Sequence, residues 1–248
     1  SVAYTKLGRP DIGLITMSEL ASVVGAIRER TELPAIVDAD TGFGNALNVQ
    51  RTVRLLERAG ASAIQIEDQS LPKRCGHLDG KALVSASEMN GKIKAALDVR
   101  LSSNTLVIAR TDAVGVEGYD QATDRAEGYL EAGADVLFIE ALQNEHQIDD
   151  IVKRFGGRIP LLINMVEGGK TPLKTANQLQ DIGFSIVIFP GGLVRVFAHT
   201  AGLYFGSLMK HGSSQPFKNK MLDLAALNDL LGTDQMLEQG QTYSDGGD

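Results

Sequence analysis

The 248 residues suffice for one large domain or two small ones, and 43% apolar with 22% charged residues is ordinary for a globular protein. A net charge of −7 and an aromatic content of 5% argue against a nucleic-acid partner. No apolar run approaches the roughly 18 residues of a membrane span, and the amino terminus has no secretory pattern. Together with the single cysteine, these features predict a cytoplasmic protein with no membrane partner.

After a first helix at Ser18–Thr31, the chain alternates short apolar runs with amphipathic stretches of helical length. The apolar runs, bounded by turn residues, predict six strands buried on both faces, at Pro34–Asp40, Ala63–Asp68, Leu106–Asp112, Val136–Ala141, Leu161–Met165 and Ile186–Pro190. The helices predicted between them lie at Ala46–Ala59, Ser87–Arg100, Tyr119–Ala132, Glu145–Phe155 and Thr175–Ile182. Such alternation is typical of parallel strands joined by helical crossovers.

Polar residues stand at the ends of five of these six strands, namely Asp38 and Asp40, Glu67 and Asp68, Arg110 and Asp112, Glu140, and Asn164. A (β/α)8 barrel places its active site at the carboxyl ends of its strands, whereas a doubly wound sheet concentrates polar residues at one switch point. We therefore predict an α/β fold of the (β/α)8 TIM-barrel type. Because six units are two fewer than the eight of this fold, the sequence predicts a barrel that lacks its first strands.

The carboxyl-terminal part of the chain has a different composition. A long helix with few charges is predicted at Leu193–Lys210, and a second helix at Leu222–Leu231 follows a hinge rich in Gly, Ser and Pro. The last residues, Gln241–Asp248, are polar and predict disorder. Residues 1–210 are therefore predicted to form the barrel domain, and residues 211–248 a helical extension with a tail.

The acidic residues at the first two strand ends predict a metal site. Asp38 and Asp40, two residues apart, place their carboxylates on the same side of a strand end, and Glu67 and Asp68 add two more from the next strand. Oxygen ligands of this kind suit Mg²⁺, Mn²⁺ or Ca²⁺. The alternative is that Asp40 and Asp68 cap the turns that follow them. Convergence from different strands favours the metal.

Arg110 and Asp112, at the end of the third strand, allow two interpretations. They could form a plain salt bridge. Alternatively, an arginine at a barrel mouth beside a metal can bind a substrate carboxylate through two parallel hydrogen bonds.

The only cysteine of the chain lies in Lys73-Arg74-Cys75-Gly76-His77. Positive neighbours favour the thiolate form of a cysteine, and the adjacent glycine allows backbone conformations that other residues resist. This composition indicates a reactive thiol on a loop. The alternative is that Cys75 is buried and acts as a small hydrophobic residue, as free cysteines usually do. Composition alone does not favour either interpretation.

Five motifs together resemble those of the isocitrate lyase/phosphoenolpyruvate mutase superfamily, namely Asp38–Gly44, Ile66–Gln69, Lys73–His77, Ala109–Asp112 and Asn164–Pro172. The resemblance runs from about Ser1 to Tyr204 and is closest to the dimethylmalate lyase and methylisocitrate lyase-like branch. It implies a Mg²⁺-dependent barrel that makes or breaks bonds beside an enolate-type intermediate.

The resemblance also implies residue roles. The positions that match the Mg²⁺ site, where Mn²⁺ could substitute, are Asp38, Asp40, Asp11 and Glu67. Cys75 matches the lyase acid, on a loop that closes over the site, and the catalytic positions beside it are Lys73, His77 and Glu67. The positions that match substrate contacts are Gly76, Arg110, Glu140, Asn164 and Arg195. Exchange of carboxyl-terminal helices between subunits implies a homodimer or homotetramer.

The activity implied by the resemblance is cleavage of a 2-hydroxy dicarboxylate, of the 2,3-dimethylmalate or methylisocitrate type, to an α-keto acid and a carboxylate. The resemblance implies that methylisocitrate lyases bind the third carboxylate with a carboxyl-terminal arginine. No arginine follows Arg195 in this sequence, so the resemblance favours a dicarboxylate, such as 2,3-dimethylmalate or oxaloacetate, over a tricarboxylate. The alternatives are oxaloacetate hydrolysis or decarboxylation, or a phosphonomutase acting on carboxyphosphonoenolpyruvate. An alternative of another class, motivated by the missing first strands, is an inactive truncated homologue.

Overall fold

The computed structural model describes residues 2–76, 78 and 80–244. By its packing the chain divides into two compact units, Ser1–Val194 and Arg195–Asp248. A long helix, Gly192–His211, runs across this division in the sequence and ends next to the predicted domain boundary at residue 210. That boundary stays a prediction.

Six strands of the first unit pair into a parallel sheet, in chain order from one edge to the other. They are β1 (Ile36–Asp38), β2 (Ala63–Glu67), β3 (Leu106–Thr111), β4 (Val136–Ile139), β5 (Leu161–Asn164) and β6 (Ile186–Ile188). Each lies within a strand predicted from the sequence. β2 is buried at all 5 of its positions, as expected for a parallel strand covered on both faces. The predicted α/β class, with parallel strands and helical crossovers, is confirmed.

Six α-helices of the described residues lie wholly within this unit, and side chains cap the start of each except the fourth, which begins after Gly118. They are α1 (Met17–Arg28), α2 (Ala46–Arg58), α3 (Ala86–Val99), α4 (Tyr119–Glu131), α5 (Glu145–Phe155) and α6 (Ala176–Ile182). Before α1, the Thr16 hydroxyl accepts the backbone N–H of Glu19, and the Glu19 carboxylate accepts the backbone N–H of Thr16. Asn45 and Asn48 form the same reciprocal cap at α2. Because the first turn of a helix lacks backbone acceptors, such caps fix where it starts.

The core lies between the sheet and these helices. Its largest fully buried side chains include Leu56 of α2, Ile93 of α3, Tyr129 of α4 and Phe155 of α5. The helices therefore fix the sheet, and the ends of its strands become rigid positions for side chains.

The second unit contains the rest of α7 (Gly192–His211), a 3-10 segment at Gln215–Lys220, α8 (Leu224–Leu231) and α9 (Thr233–Ser244). Within it, the rings of Tyr204 and Phe217 meet edge to face with centroids 5.5 Å apart. The prediction of disorder from residue 241 is wrong for residues 241–244, which continue α9. Residues 245–248 lie outside the described part of the chain.

Large apolar side chains are exposed along α7, α8 and α9, among them Phe197, Phe205, Met209, Leu224 and Met236. The predicted exchange of helices in a homodimer or homotetramer stays a prediction. Among the described helices, none combines the length and apolar character that a membrane crossing requires.

Two leucines of α2 provide a matched test of the core. Leu56 is fully buried, whereas Leu47 is 74% exposed. We expect Leu56→Ala to lower the free energy of unfolding by about 2–5 kcal/mol, because it removes buried methyl groups and leaves a cavity. Leu47→Ala should change it by less than about 0.5 kcal/mol. Urea denaturation followed by circular dichroism measures both, and equal losses would contradict the packing of α2.

Candidate active site

Charged side chains from the carboxyl ends of the strands meet at one edge of the sheet, because all the strands are parallel. Asp38 ends β1, Glu67 ends β2, Arg110 is the last residue but one of β3, and Glu140 directly follows β4. We call the ionic group at this edge the carboxyl-edge cluster. It consists of Asp11, Asp38, Asp40, Glu67, Lys73, Lys81, Arg110, Asp112 and Glu140.

Lys73 joins two of the predicted metal ligands. Its Nζ lies 2.6 Å from an Oδ1 of Asp11 and 2.6 Å from an Oδ1 of Asp40, and the residue is only 3% exposed. Burial alone would lower the pKa of Lys73, but attraction to Asp40 and further carboxylates outweighs burial and raises it. Burial and the neighbouring Asp38 raise the pKa of Asp40 to about 6, despite the attraction of Lys73.

Asp40 stands in a strained turn. Its φ of 49° lies in the left-handed region, which few residues other than glycine adopt. Its backbone N–H donates to Oδ1 of Asp38 over 3.1 Å, and its carbonyl accepts the backbone N–H of Glu67 over 2.8 Å. These bonds hold the Asp38–Asp40 turn against the end of β2. Asp40 does not cap α2, which is capped by Asn45.

Arg110 is buried among carboxylates. Its Nε and Nη2 each donate to one oxygen of Asp112 over 3.0 Å, which gives the bidentate geometry of a strong ion pair. Oε2 of Glu67 lies 3.5 Å from its Nε, and Oε2 of Glu140 lies 3.6 Å from its Nη2. Cζ of Arg110 also lies over the ring of Phe138, 5.2 Å from its centroid. The salt bridge predicted for Arg110 and Asp112 is therefore present, and substrate binding by Arg110 stays a prediction.

Two buried oxygens at this edge have no hydrogen-bond partner among the described residues, Oε1 of Glu67 and Oδ1 of Asn164. The amide of Asn164 donates to Oε2 of Glu140 over 3.1 Å. Burial raises the pKa of Glu67 well above its usual range, against the attraction of Arg110. Because a buried polar atom without a partner is costly, these oxygens mark places where a ligand would add a bond.

A cavity of about 360 Å³ opens at this edge. Its apolar wall comes mainly from α1 and β1. Its polar wall consists of Asp11, Asp38, Asp40, Gln65, Lys73, Arg110 and Asn164. This volume suits a small organic acid.

The donors at this edge fit a hard divalent cation by their chemistry. The cluster holds six carboxylates and three cations, and Oε1 of Glu67 lacks a partner in the described part of the chain. Across residues 2–76, 78 and 80–244, however, no three acidic, histidine or cysteine side chains converge on one point. The ammonium of Lys73 lies between Asp11 and Asp40 instead. A bound Mg²⁺ would balance charge that Lys73 balances in this arrangement.

The loop that carries Cys75 closes onto this edge. Its ends pair where the backbone N–H of Ser70 donates to the carbonyl of Ala82 over 2.8 Å. Gly76 is buried, and a Cβ at this position would lie 2.7 Å from Cγ of Glu140 and collide with the guanidinium of Arg110. Only glycine therefore allows the backbone this approach. Cys75 itself is half-buried.

Two predicted residues cannot be placed at the site. His77 lies outside the described residues. Arg195 belongs to the second unit, and its role stays a prediction.

Asp68 does not join the acidic cluster that the sequence analysis assigned it to. Its carboxylate accepts hydrogen bonds from the Thr111 hydroxyl (2.7 Å), the Tyr129 hydroxyl (2.7 Å) and the backbone N–H of Asp112 (2.9 Å). Arg125 adds an ion pair at 3.4 Å. Nor does it cap a helix. Asp68 instead fixes the backbone at the end of β3 from behind the site.

The sequence analysis missed Lys81. Its ammonium donates to the carbonyl of Gly76 and to Oδ1 of Asp112, the latter over 3.0 Å. Lys81 lies on a loop, where no periodic sequence pattern distinguishes it. Its role at the site is therefore visible only from its contacts in the folded structure.

The Lys73 ion pairs can be tested against a surface pair of equal length. Lys174 contacts Glu145 at the same 2.6 Å, but Glu145 is 58% exposed. We expect Lys73→Met to lower the free energy of unfolding by about 3 kcal/mol. The reason is that it leaves the partly buried carboxylates of Asp11 and Asp40, and the buried Glu67 near them, without a compensating charge. Lys174→Met should lower the free energy of unfolding by at most about 1 kcal/mol. Urea denaturation in EDTA compares the two, and an equal effect would contradict the buried role of Lys73.

Comparison with known proteins places these features in context. Residues 1–207 match the family model described as phosphoenolpyruvate phosphomutase. The chain is 48% identical over 226 residues to 2-methylisocitrate lyase of Aeropyrum pernix, covering 91% of this chain and 72% of that protein. It is 43% identical over 242 residues to 2,3-dimethylmalate lyase of Eubacterium barkeri, covering 97% of this chain and 82% of that protein.

Solved structures agree with the fold. A crystal structure of 2,3-dimethylmalate lyase superposes with a TM-score of 0.92 at 32% identity, covering 100% of this chain and 83% of that chain. Oxaloacetate acetylhydrolase in complex with 3,3-difluorooxalacetate superposes with a TM-score of 0.91 at 30% identity, covering 98% of this chain and 82% of that chain. Phosphonopyruvate hydrolase in complex with oxalate and Mg²⁺ superposes with a TM-score of 0.85 at 30% identity, covering 98% of this chain and 84% of that chain. The predicted barrel-type fold is confirmed by these likenesses.

Proposed function

Because this chain belongs to the phosphoenolpyruvate mutase/isocitrate lyase superfamily, we propose that it is a carbon–carbon lyase cleaving a 2-hydroxy dicarboxylate to an α-keto acid and a carboxylate. The relatives of highest identity named above are lyases for 2-methylisocitrate and 2,3-dimethylmalate. The observation that carries the proposal is the approach of Gly76, the neighbour of Cys75, to Arg110 and Glu140. It supports a thiol on a loop that closes over the cavity.

The cavity supports binding of a small dicarboxylate. Arg110 offers a substrate carboxylate the edge of its guanidinium that does not face Asp112. Asn164 offers a buried amide oxygen that can accept a hydrogen bond from a substrate hydroxyl. Glu140 orients the Asn164 amide by accepting from its Nδ2.

The predicted ligands of Mg²⁺ are Asp38, Asp40, Asp11 and Glu67, with Mn²⁺ as a substitute. Mg²⁺ dependence is the norm in this family, and phosphonopyruvate hydrolase was solved with it. When bound, the cation supplies Lewis-acid polarisation of the substrate 2-hydroxyl and the carboxylate beside it. Lys73 holds Asp11 and Asp40 in place and contributes positive charge near the reacting atoms.

Cleavage moves two protons. The 2-hydroxyl loses one to a base, the bond between carbons 2 and 3 breaks, and carbon 2 becomes the carbonyl of the α-keto acid. The electron pair passes to carbon 3 and spreads into its carboxylate. The thiol of Cys75 gives its proton to carbon 3, which completes the second product, and the thiolate regains a proton from solvent. Closure of the loop keeps water from the intermediate.

Removal of the thiol tests this role. We expect Cys75→Ala to lower kcat by about 100-fold or more, because it removes the acid that protonates carbon 3. Mg²⁺ binding, measured by isothermal titration calorimetry, should not change. Leu78→Ala, a half-exposed side chain on the same loop, is the control and should retain turnover. Near-normal cleavage of every candidate substrate by Cys75→Ala would contradict the assignment.

The products identify the substrate. In Mg²⁺ buffer, 2,3-dimethylmalate should give pyruvate and propionate, and methylisocitrate should give pyruvate and succinate. A second candidate function is oxaloacetate hydrolysis to acetate and oxalate, favoured by the TM-score of 0.91 with oxaloacetate acetylhydrolase. We expect one of the first two product pairs by chromatography. Turnover of oxaloacetate alone would replace the proposed reaction with the second candidate, and no turnover of any of the three would contradict both.

A further inference from the structure

Cys75 lies between two residues whose backbones are each held by a buried side chain. On one side stands Arg74, whose backbone N–H donates to Oε1 of Gln69 over 2.9 Å. The carbonyl of the same residue accepts from Nε2 of Gln69 over 2.8 Å. The Gln69 side chain thus pairs with both the backbone N–H and the carbonyl of Arg74. Gln69 itself is only 1% exposed.

On the other side of Cys75 stands Gly76, whose carbonyl accepts from Nζ of Lys81. The Lys81 side chain is 3% exposed, and its second partner, Asp112, is 0% exposed. Asp112 in turn binds Arg110 through both of its oxygens. Lys81 therefore ties the loop backbone to the arginine that faces the cavity.

Neither contact is needed to close the loop at its base. The bond between Ser70 and Ala82 and the antiparallel bridge between Gln69 and Leu83 already join the two ends. The ion pairs of Lys73 with Asp11 and Asp40 hold the loop two residues before the thiol. Beyond Lys73, a loop with few further contacts would move readily, because little opposes its motion. The side chains of Gln69 and Lys81 act farther along the loop, on the two peptide groups that flank the thiol.

We propose that Gln69 and Lys81 form a two-point clamp that positions Cys75 for proton transfer. They are positioning residues, since they act through the backbone of Arg74 and Gly76. The role in proton transfer rests on the proposed function, whereas the clamp itself can be measured on the thiol alone.

The thiol provides a direct readout because Cys75 is the only cysteine of the chain. Reaction of the intact protein with 5,5′-dithiobis(2-nitrobenzoate) therefore reports this loop and no other site. We expect Gln69→Met and Lys81→Met, each close in volume to the native side chain, to speed the reaction about tenfold by freeing the loop. Gln180→Met and Lys94→Met change exposed residues of the same types and should react at the wild-type rate.

Kinetics distinguish positioning from a general loss of stability. The clamp variants should lose about 100-fold in kcat with little change in KM, because a misplaced acid slows chemistry more than binding. Thermal unfolding monitors the fold of each variant. If Lys81→Met does not fold, Lys81→Gln, whose shorter amide cannot span Gly76 and Asp112 together, replaces it with the same expected results.

Thiol reaction and kcat at wild-type values in folded variants at both positions would overturn the clamp. Faster thiol reaction with unchanged kcat would overturn its role in proton transfer. If the wild type cleaves none of the candidate substrates, the proposed function fails, and the thiol rates still decide whether the clamp exists.

Discussion

The buried ion pair between Arg110 and Asp112 connects the sheet to the loop above it. Asp68 holds the backbone N–H of Asp112 from behind, and Lys81 joins Asp112 to the carbonyl of Gly76 in front. Charges this deeply buried are stable only when every partner is present, since removing one leaves the others uncompensated in a medium of low polarity. The closed loop and the position of Arg110 therefore depend on each other through Asp112.

The rigid strand ends and the loop carry different groups of the site. Strand ends, fixed by the packed helices behind them, carry the groups that bind charge, such as Glu67 and Arg110. The proposed acid, Cys75, is carried by a loop, because a group that must close over a substrate has to move aside to let it enter. Gly76 allows the loop backbone to come within reach of Arg110 and Glu140 without a side chain in between.

Much of this fold follows from periodicity in the sequence. The six strands were predicted because each is a short apolar run between turn residues, and α2 because of its amphipathic period. The Asn45 cap that starts α2 was not part of that prediction. Helix α9 was not predicted, since its polar, glutamine-rich sequence lacks a clear apolar face.

The site was predictable to the extent that polar residues stand at strand ends. Asp38, Glu67, Arg110 and Asn164 were singled out for that reason, and the superfamily resemblance is confirmed. Grouping Asp68, which directly follows β2, with Glu67 overlooked that the side chains of consecutive residues in extended backbone point in opposite directions. Lys81 and the clamping role of Gln69 escaped prediction because contacts made by a loop follow no repeat.

The central claim is that the protein, through Cys75, delivers a proton to the carbon released by cleavage. Cleavage in D₂O tests it most directly, on whichever of 2,3-dimethylmalate or methylisocitrate is turned over. The account predicts one deuterium at the former carbon 3 of the carboxylate product, in a single configuration, because an acid fixed on one side of the intermediate protonates one face. Equal amounts of both configurations, as expected when solvent protonates a released intermediate, would contradict it.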